Sequence, residues 1–244
     1  MKLLSLDWHV PNQVVAFSTS RRGGDSKPPF HGFNLALHVG DDTQQVKINR
    51  AQLETNLPNP CIWLNQVHSN QVVVVDETVQ PSITLSADAL YTKRKNQPLA
   101  IMTADCLPIF ITSNCGREVA VIHAGWRGLL AGVIENTLHC FEAKRLNAFL
   151  GPAIGPNQFE VGEEVYQLFV DKNTDFADAF VEKDSVAKKY YANIYALARH
   201  ILKSSALIEI NGGEQCTYSE ASDFYSYRRD GQTGRNAHII YICE

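Results

Sequence analysis

The fold is decided by residues 99–128, which read LAIMTADCLPIFITSNCGREVAVIHAGWRG. This stretch holds three short apolar runs, at 99–103, 107–112 and 118–123, separated by polar or glycine-containing turns. The runs lack the regular polar positions that a half-exposed strand shows at every second residue, and such runs are typical of strands covered on both faces. We therefore expect three central strands of a layered protein.

Outward from this stretch, further short β-rich runs alternate with segments of helical periodicity. In the segment 43–57, apolar side chains recur at helical spacing behind Asp42 or Thr43, either of which can cap a helix. The other predicted strands lie at 13–19, 61–68, 71–76, 147–150, 208–210 and 238–243, and the other predicted helices at 127–144, 162–173 and 190–205.

The order of these segments predicts the architecture. The strands come in pairs before each helix, and do not alternate with helices one to one. This order favours a layered α/β/β/α sandwich of mixed sheets over a doubly wound parallel sheet. No repeat, low-complexity tract or Ser/Pro-rich linker divides the chain, so we expect residues 1–244 to form a single domain.

Composition and charge exclude several classes of protein. Hydrophobic residues make up 45% and charged residues 20% of the chain, which is close to the average of globular domains. The net charge of −4 gives no overall basic field for nucleic acid or an anionic membrane. The six cysteines form no C-x-x-C pair, and no apolar run is long enough for a signal or membrane segment. We expect a cytoplasmic monomer with reduced thiols.

Three donor side chains stand where predicted strands become loops. They are His68, Cys106 and His123, separated by 38 and 17 residues. These gaps are too wide for a local zinc knuckle but suit ligands that come from neighbouring strand ends. Two imidazoles and one thiolate suit Zn²⁺, with a fourth position left for water or substrate. The pattern therefore predicts a catalytic metal site.

Neighbouring residues extend the predicted site. Asp105, beside Cys106, offers a carboxylate that could orient a ligand or act as a general base. Two arginine-containing segments, at 19–26 and 224–231, combine guanidinium groups with glycine or aromatic residues. Such segments suit a phosphate and a stacked ring, so Arg21 and Arg228 are candidates for substrate binding.

Eight motifs are spread along nearly the whole chain. They are TSRRGGDS at 19–26, FNLALHVGDD at 33–42, NQVH at 65–68, ADA at 87–89, TADCLP at 103–108, HAGWRG at 123–128, LGPAIGP at 150–156 and FYSYRR at 224–229. Together they resemble the motifs of the YfiH family, also called the peptidoglycan editing factor family or the multicopper polyphenol oxidase (laccase-like) family. Ser20 stands where Thr is usual in that family, and the Arg21 that follows it matches the motif.

The resemblance implies a four-layer α/β fold and a zinc site formed by His68, Cys106 and His123. It also implies phosphorolysis of adenosine, inosine, guanosine and methylthioadenosine, together with adenosine deamination. The expected catalytic residues are the three ligands and Asp105. The predicted substrate-binding residues are Arg21, Asn34, Arg127, Tyr227 and Arg228.

Other functions remain open at this point. A multicopper centre needs many histidines, whereas this chain has eight and no His-x-His pair, so polyphenol oxidation with copper would be a side reaction. Cu²⁺ outcompetes Zn²⁺ at most His/Cys sites, so exchanged copper would say little about the native metal. Cys106 could instead be the nucleophile of an amidase acting on a cell-wall precursor, with His123 or His68 as its base. A third alternative is a structural zinc or small-molecule binding module without turnover.

Overall fold

The elements of the fold are taken from a computed structural model that describes residues 1–205 and 207–244. The strands are β1 (Leu3–Ser5), β2 (Val14–Thr19), β3 (Ile62–Asn65), β4 (Val72–Val74), β5 (Leu85–Ser86), β6 (Ala89–Thr92), β7 (Leu99–Thr103), β8 (Leu107–Ser113), β9 (Val119–Ala124), β10 (Arg145–Leu150), β11 (Glu160–Gly162), β12 (Phe180–Asp184), β13 (Lys189–Ala192), β14 (Leu207–Gly212) and β15 (Asn236–Ile242). The helices are α1 (Thr43–Glu54), α2 (Trp126–Ala131), α3 (Val133–Leu138), α4 (Glu163–Lys172), α5 (Ile194–Ser205) and α6 (Tyr227–Asp230), and a 3-10 helix lies at Thr174–Ala179.

Within the described ranges these strands form two six-stranded sheets and one three-stranded sheet. The first sheet has the order β1-β2-β15-β7-β3-β5, the second β14-β10-β8-β9-β6-β4, and the third β11-β13-β12. Both large sheets are mixed: β8 pairs with β9 in antiparallel orientation, whereas β10 and β14 are parallel, as are β3 and β7. The prediction of mixed sheets is confirmed.

The two large sheets pack face to face around a shared apolar layer. Ile101 of β7, Phe110 of β8 and Ile240 of β15 lie in this layer. The other face of the second sheet packs against α2, α3, α4 and α5, and the other face of the first sheet packs against Leu53 of α1. The layers therefore follow the predicted α/β/β/α order.

Strands β8 and β9 explain why the sequence shows no alternation there. All their residues are buried. Successive side chains of a strand point to opposite faces, so Ile109 and Ile111 enter the helix-covered core while Phe110 enters the layer between the sheets. Both faces are apolar because both are covered. Leu107 pairs with Ala124, so β8 begins where β9 ends.

The predicted helix at 127–144 is wrong in its extent. It is divided into α2 and α3 at Gly132, whose φ of +93° is a left-handed conformation that favours glycine. The helical structure ends at Leu138, because the backbone N–H groups of Glu142 and Ala143 donate to the buried Glu118 carboxylate and hold that segment as a loop.

The predicted helix at 190–205 is wrong in its first residues. Tyr190 and Tyr191 lie in β13, since aromatic side chains suit a sheet and Tyr190 stacks on Tyr166 at 4.4 Å between ring centroids. The helix starts at Ile194, where the Asn193 side chain accepts a hydrogen bond from the Ala196 N–H. The three-stranded sheet was not predicted, since its strands are short and partly exposed.

Most other predictions of strands and helices agree with the structure to within a few residues. The Asp42 cap of α1 is confirmed, because its carboxylate accepts from the N–H groups of Gln44 and Gln45 at 2.7 and 3.1 Å. In the part of the chain that the structure describes, no helix combines the length and apolarity that crossing a bilayer requires.

Candidate functional site

The three predicted metal ligands meet at one end of the sandwich. One donor atom from each of His68, Cys106 and His123 lies within 4.8 Å of the others. The rings of the two histidines are 4.7 Å apart between centroids and inclined by 58°. His123 is buried, Cys106 is partly exposed and His68 is exposed, so the three donors lead from the core to the surface.

Strand pairing brings Cys106 and His123 together. Cys106 immediately precedes β8, and His123 is the penultimate residue of β9, directly across from Pro108. The chain then turns at Gly125, which opens α2. A Cβ at Gly125 would lie 2.7 Å from His68 Nδ1 and 3.2 Å from Cys106 Sγ. Glycine therefore leaves open the space between His68 and Cys106.

Two donor-bearing loops have unusual backbone conformations. His68 has φ of +58° and Asp105, next to Cys106, has φ of +92°. Such values are costly for residues other than glycine and are often found at functional sites. Gln66 braces the first loop, because its side chain exchanges two hydrogen bonds of 2.8 Å with the backbone of Met102.

A residue that the sequence analysis did not assign holds two of the ligands. The fully buried Asp88 carboxylate lies 2.8 Å from His123 Nδ1 and accepts from the His68 backbone N–H at 3.0 Å. It also accepts from the N–H and hydroxyl of Ser69 at 2.6 and 2.7 Å. A carboxylate at Nδ1 leaves Nε2 of His123 to face Cys106 and a metal. The signal was the motif ADA, whose Asp lies just before a buried strand.

The charges of these groups follow from their contacts. Burial alone would raise the pKa of Asp88, but hydrogen bonds from His123 and Ser69 outweigh it and lower the pKa to about 2. Burial alone would lower the pKa of His123, but the charge of Cys106 and the hydrogen bond with Asp88 raise it to about 9. Burial and the nearby His123 lower the pKa of His68. The site thus holds compensating charges deep in the protein.

These residues fit a single metal ion of the zinc type. Two imidazoles and a thiolate form a borderline-soft donor set, and the Gly125 space allows the donors to approach one centre. Three protein ligands leave one tetrahedral position for water or substrate. Among residues 1–205 and 207–244, this is the one cluster of three His, Cys, Asp or Glu donors able to hold a metal.

The ligands open into a cavity of about 410 Å³. This volume lies in the range of small-molecule sites. Trp126 and Phe159 contribute aromatic surface, and Tyr227 lies at the rim with 61% of its surface exposed. The cavity therefore places apolar ring surfaces beside the metal ligands.

Asp105 lies in the cavity wall, and both of its carboxylate oxygens accept hydrogen bonds. The Thr217 hydroxyl donates to Oδ1 and the Arg228 backbone N–H donates to Oδ2, each at 2.7 Å. The Asp105 carbonyl also accepts from the Ile154 N–H at 2.9 Å. Asp105 thus connects three chain segments around the cavity.

The predicted substrate-binding residues divide into two groups. Arg127, Tyr227 and Arg228 line the cavity. The Arg127 guanidinium lies 4.3 Å from the centre of the Trp126 ring, and Arg228 Nη1 donates to the carbonyls of Gln158 and Glu160. These three residues are therefore placed where a ligand of the cavity would meet them.

Arg21 and Asn34 lie outside the cavity wall. Arg21 is buried, donates to His31 Nε2 at 2.8 Å and lies 4.7 Å from the centre of the Tyr225 ring. Asn34 is fully buried, and its side chain bonds the backbone of Ala36. Their side chains are engaged in internal contacts, which the sequence motifs alone could not reveal.

Two residues that the sequence analysis did not assign also line the cavity. They are His38 and Arg235. Burial, followed by the charge of Arg235, lowers the pKa of His38. His38 belongs to a quoted motif, whereas Arg235 follows the last motif and carried no separate signal.

The sequence profile of one family, described as multi-copper polyphenol oxidoreductase laccase, matches residues 15–243. This chain belongs to that laccase family. Its similar proteins include one named purine nucleoside phosphorylase YfiH from Escherichia coli, which is 44% identical over 245 residues that cover 99% of each chain. A protein named purine nucleoside phosphorylase from Haemophilus influenzae is 44% identical over 247 residues, covering 99% of this chain and 100% of the relative.

Solved structures of similar proteins share the fold. A Neisseria meningitidis protein matches with a TM-score of 0.95 and 39% identity over 100% of both chains. YlmD from Geobacillus stearothermophilus matches with a TM-score of 0.90 and 29% identity over 100% of this chain and 97% of its own. The resemblance read from the motifs is confirmed, as is the layered α/β fold.

Proposed function

We propose that this protein is a cytoplasmic, zinc-dependent purine nucleoside enzyme. It phosphorolyses adenosine, inosine, guanosine and methylthioadenosine, and it also deaminates adenosine. The observation that carries the proposal is the convergence of His68, Cys106 and His123 at a cavity that also contains arginines and aromatic rings. The names of the bacterial relatives support a purine nucleoside as substrate.

In phosphorolysis, a phosphate oxygen forms a bond to C1′ of the ribose while the bond from C1′ to the purine nitrogen breaks. The electron pair of that bond goes to the purine, which takes up a proton, and the products are the free base and ribose 1-phosphate. Positive charge develops on the sugar ring in the transition state. Guanidinium groups of the cavity hold the phosphate in line for attack, and aromatic surfaces such as Trp126 and Tyr227 stack on the purine.

Deamination replaces the C6 amino group of adenosine with the oxygen of water and releases ammonia. We assign the proton transfers of this reaction to Asp105, the one carboxylate in the described part of the cavity wall. A bound zinc ion supplies Lewis acidity, which stabilises developing negative charge and increases the acidity of water. His68, Cys106 and His123 would hold that ion, and Asp88 would fix the ring of His123.

Metal analysis combined with a nucleoside panel tests this proposal. Protein prepared without added metal should contain about one zinc ion per chain. Purine nucleosides should release the free base only when phosphate is present, whereas adenosine should yield inosine with or without phosphate. Zinc-free active protein, or zinc-loaded protein that converts no purine nucleoside, would contradict the proposal.

A second candidate function is a cysteine amidase, because one observation favours it. His123 has Asp88 at its Nδ1 and Cys106 nearby, an order of groups that resembles a carboxylate, imidazole and thiol triad. In such an enzyme the Cys106 thiolate attacks an amide carbonyl and forms an acyl-enzyme, and His123 protonates the departing amine. Water then hydrolyses the acyl-enzyme, which releases the carboxylic acid and restores the thiol. A triad has no need of His68, whereas a metal site uses it as a ligand.

Copper chemistry is proposed only as a side activity. The described residues provide one such donor cluster, which suits one ion, and copper at this cluster would follow from its high affinity for His/Cys ligands. Oxidation of a polyphenol by copper-soaked protein would therefore depend on the same three ligands as the zinc-dependent reactions.

A further inference from the structure

Arg235 is a cation of the cavity that forms no ion pair with the carboxylates of the described residues. Its guanidinium lines the cavity beside Cys106 and Asp105, with the Tyr227 ring centre 6.0 Å away. Nη1 donates to the carbonyls of Thr233 and Gly234 at 2.8 and 3.0 Å. Across residues 1–205 and 207–244, no carboxylate oxygen lies within 4.0 Å of this guanidinium.

The backbone of Arg235 is held by residues outside the cavity wall. The Arg235 N–H donates to Asn34 Oδ1 at 2.9 Å, and the same oxygen accepts from the Ala36 N–H at 3.1 Å. The Asn34 amide donates to the Asp41 carboxylate at 2.9 Å. Gly234 completes the fit, since a Cβ there would lie 2.7 Å from the Tyr225 ring. A partly buried network centred on the buried Asn34 thus fixes where the Arg235 side chain leaves the backbone.

Partial burial removes water from this cation, and no carboxylate in the described part of the chain pairs with it directly. Burial is the largest influence on Arg235 and lowers its pKa, and the charges of Cys106 and Asp105 oppose that effect. An anion that enters the cavity would restore the lost solvation. The other two cavity arginines are less suited to this role, because Arg127 and Arg228 are both exposed and remain hydrated without a ligand.

We propose that Arg235 is the residue that anchors the phosphate co-substrate, and that Asn34 positions it. The forked guanidinium donors match a tetrahedral oxyanion, and the metal ligands lie in the same cavity. This inference rests on the proposed phosphorolysis. It assigns Asn34 an indirect role in substrate binding, through Arg235, in place of the direct contact that the sequence suggested.

The test is a titration of zinc-loaded protein with inorganic phosphate, followed by calorimetry, with Arg235→Gln and Arg235→Lys compared to the wild type. Arg235→Gln removes the charge and should weaken phosphate binding about tenfold or more. Arg235→Lys keeps the charge but loses the forked guanidinium donors, so its phosphate affinity should lie between those of Arg235→Gln and the wild type. In turnover assays, the KM for phosphate should rise with little change in the KM for inosine. Arg117→Gln, in the exposed turn at the far end of β8, is the matched control and should leave both values unchanged.

The outcomes separate this inference from the proposed function. If the wild type binds no phosphate, or if folded Arg235→Gln binds it as the wild type does, the Arg235 site is wrong. If phosphate binds through Arg235 but no purine nucleoside is phosphorolysed, the anion site stands and the proposed reaction fails. Asn34→Ala should raise the KM for phosphate more than that for inosine, and equal effects on both would contradict its positioning role.

Discussion

His123 and His238 are both buried in the sandwich, yet their surroundings shift their pKa values in opposite directions. His123 lies next to the Cys106 thiol and the Asp88 carboxylate, and these partners raise its pKa to about 9. His238 lies between the Ser18 and Thr103 hydroxyls, each 2.8 Å from a ring nitrogen, and burial lowers its pKa to about 3. The depth of a histidine therefore does not decide its role, whereas the charge of its partners does.

The difference also separates a binding site from a structural contact. Hydroxyl partners satisfy the hydrogen bonds of a neutral ring and leave no position for a ligand. Thiolate and carboxylate partners place negative charge in a buried region, which is stable only when a cation balances it. The raised pKa of His123 favours a protonated ring that supplies this cation, and we expect a bound metal ion to replace the proton.

The largest expected effect comes from removing the charged partner of His123. Cys106→Ala should abolish stoichiometric zinc binding and lower phosphorolysis about 10³-fold, because a catalytic metal contributes several kcal/mol to the transition state. Zinc content by mass spectrometry and initial rates with inosine measure both losses. Cys115→Ala, at the exposed turn between β8 and β9, is the matched control and should change neither. Retention of zinc by Cys106→Ala would show that the Cys106 thiolate is not a metal ligand.

A smaller loss is expected when the carboxylate partner is neutralised. Asp88→Asn keeps the size of the side chain but no longer fixes the tautomer and charge of His123, so zinc affinity should fall about 10–100-fold. Competition with a chromogenic chelator gives the affinity without reference to turnover. Asp105→Asn serves as the comparison, because that carboxylate bonds Thr217 and Arg228 and touches neither histidine. Equal zinc affinities for Asp88→Asn and the wild type would show that Asp88 has only a structural role.

The neutral histidine should affect stability and its dependence on pH. The unfolded chain takes up a proton on His238 near pH 6.5, whereas the folded chain resists protonation until pH about 3. Its contribution to stability is thus complete above pH 6.5 and is lost as the pH falls toward 3. Relative to His238→Gln, the wild type should lose about 1 kcal/mol of unfolding free energy between pH 6.5 and 5.5. Urea titrations at both pH values measure this difference, and parallel behaviour of the two proteins would show that His238 is charged when folded.

Sequence alone identified the three donor residues that meet in the structure, because their chemistry is visible in the residue types. Two histidines and a cysteine at strand ends are recognisable donors, and the unbroken apolar runs of β8 and β9 showed that these strands are buried on both faces. The strand ends that carry Cys106 and His123 converge because β8 and β9 are antiparallel neighbours and β8 begins where β9 ends. Asp88 was harder to recognise, because its role depends on a loop from β3 that folds over it.

Residue patterns did not predict which of Arg21 and Arg235 lines the cavity. Arg21 and Arg235 are both basic residues near glycine, and sequence reasoning selected the first. In the structure Arg21 is bonded inside the protein, while Arg235 lines the cavity. Their placement depends on contacts between distant segments, such as that of Asn34 with Arg235. Helix boundaries failed for a similar reason, since β13 forms only when its partner strands are present.

The reactivity of Cys106 distinguishes a zinc-bound thiolate from a catalytic thiol. A thiolate bound to zinc is shielded, so iodoacetamide should label Cys106 slowly in zinc-loaded protein and at least about tenfold faster after chelation. Hydrogen bonds from Ser113 and Arg117 lower the pKa of the exposed Cys115 thiol, which provides an internal reference that should label equally in both states. Phosphorolysis of inosine should be lost on chelation and return with zinc. Fast labelling of Cys106 in zinc-loaded protein, with activity lost in step, would contradict the metal site and favour the cysteine amidase.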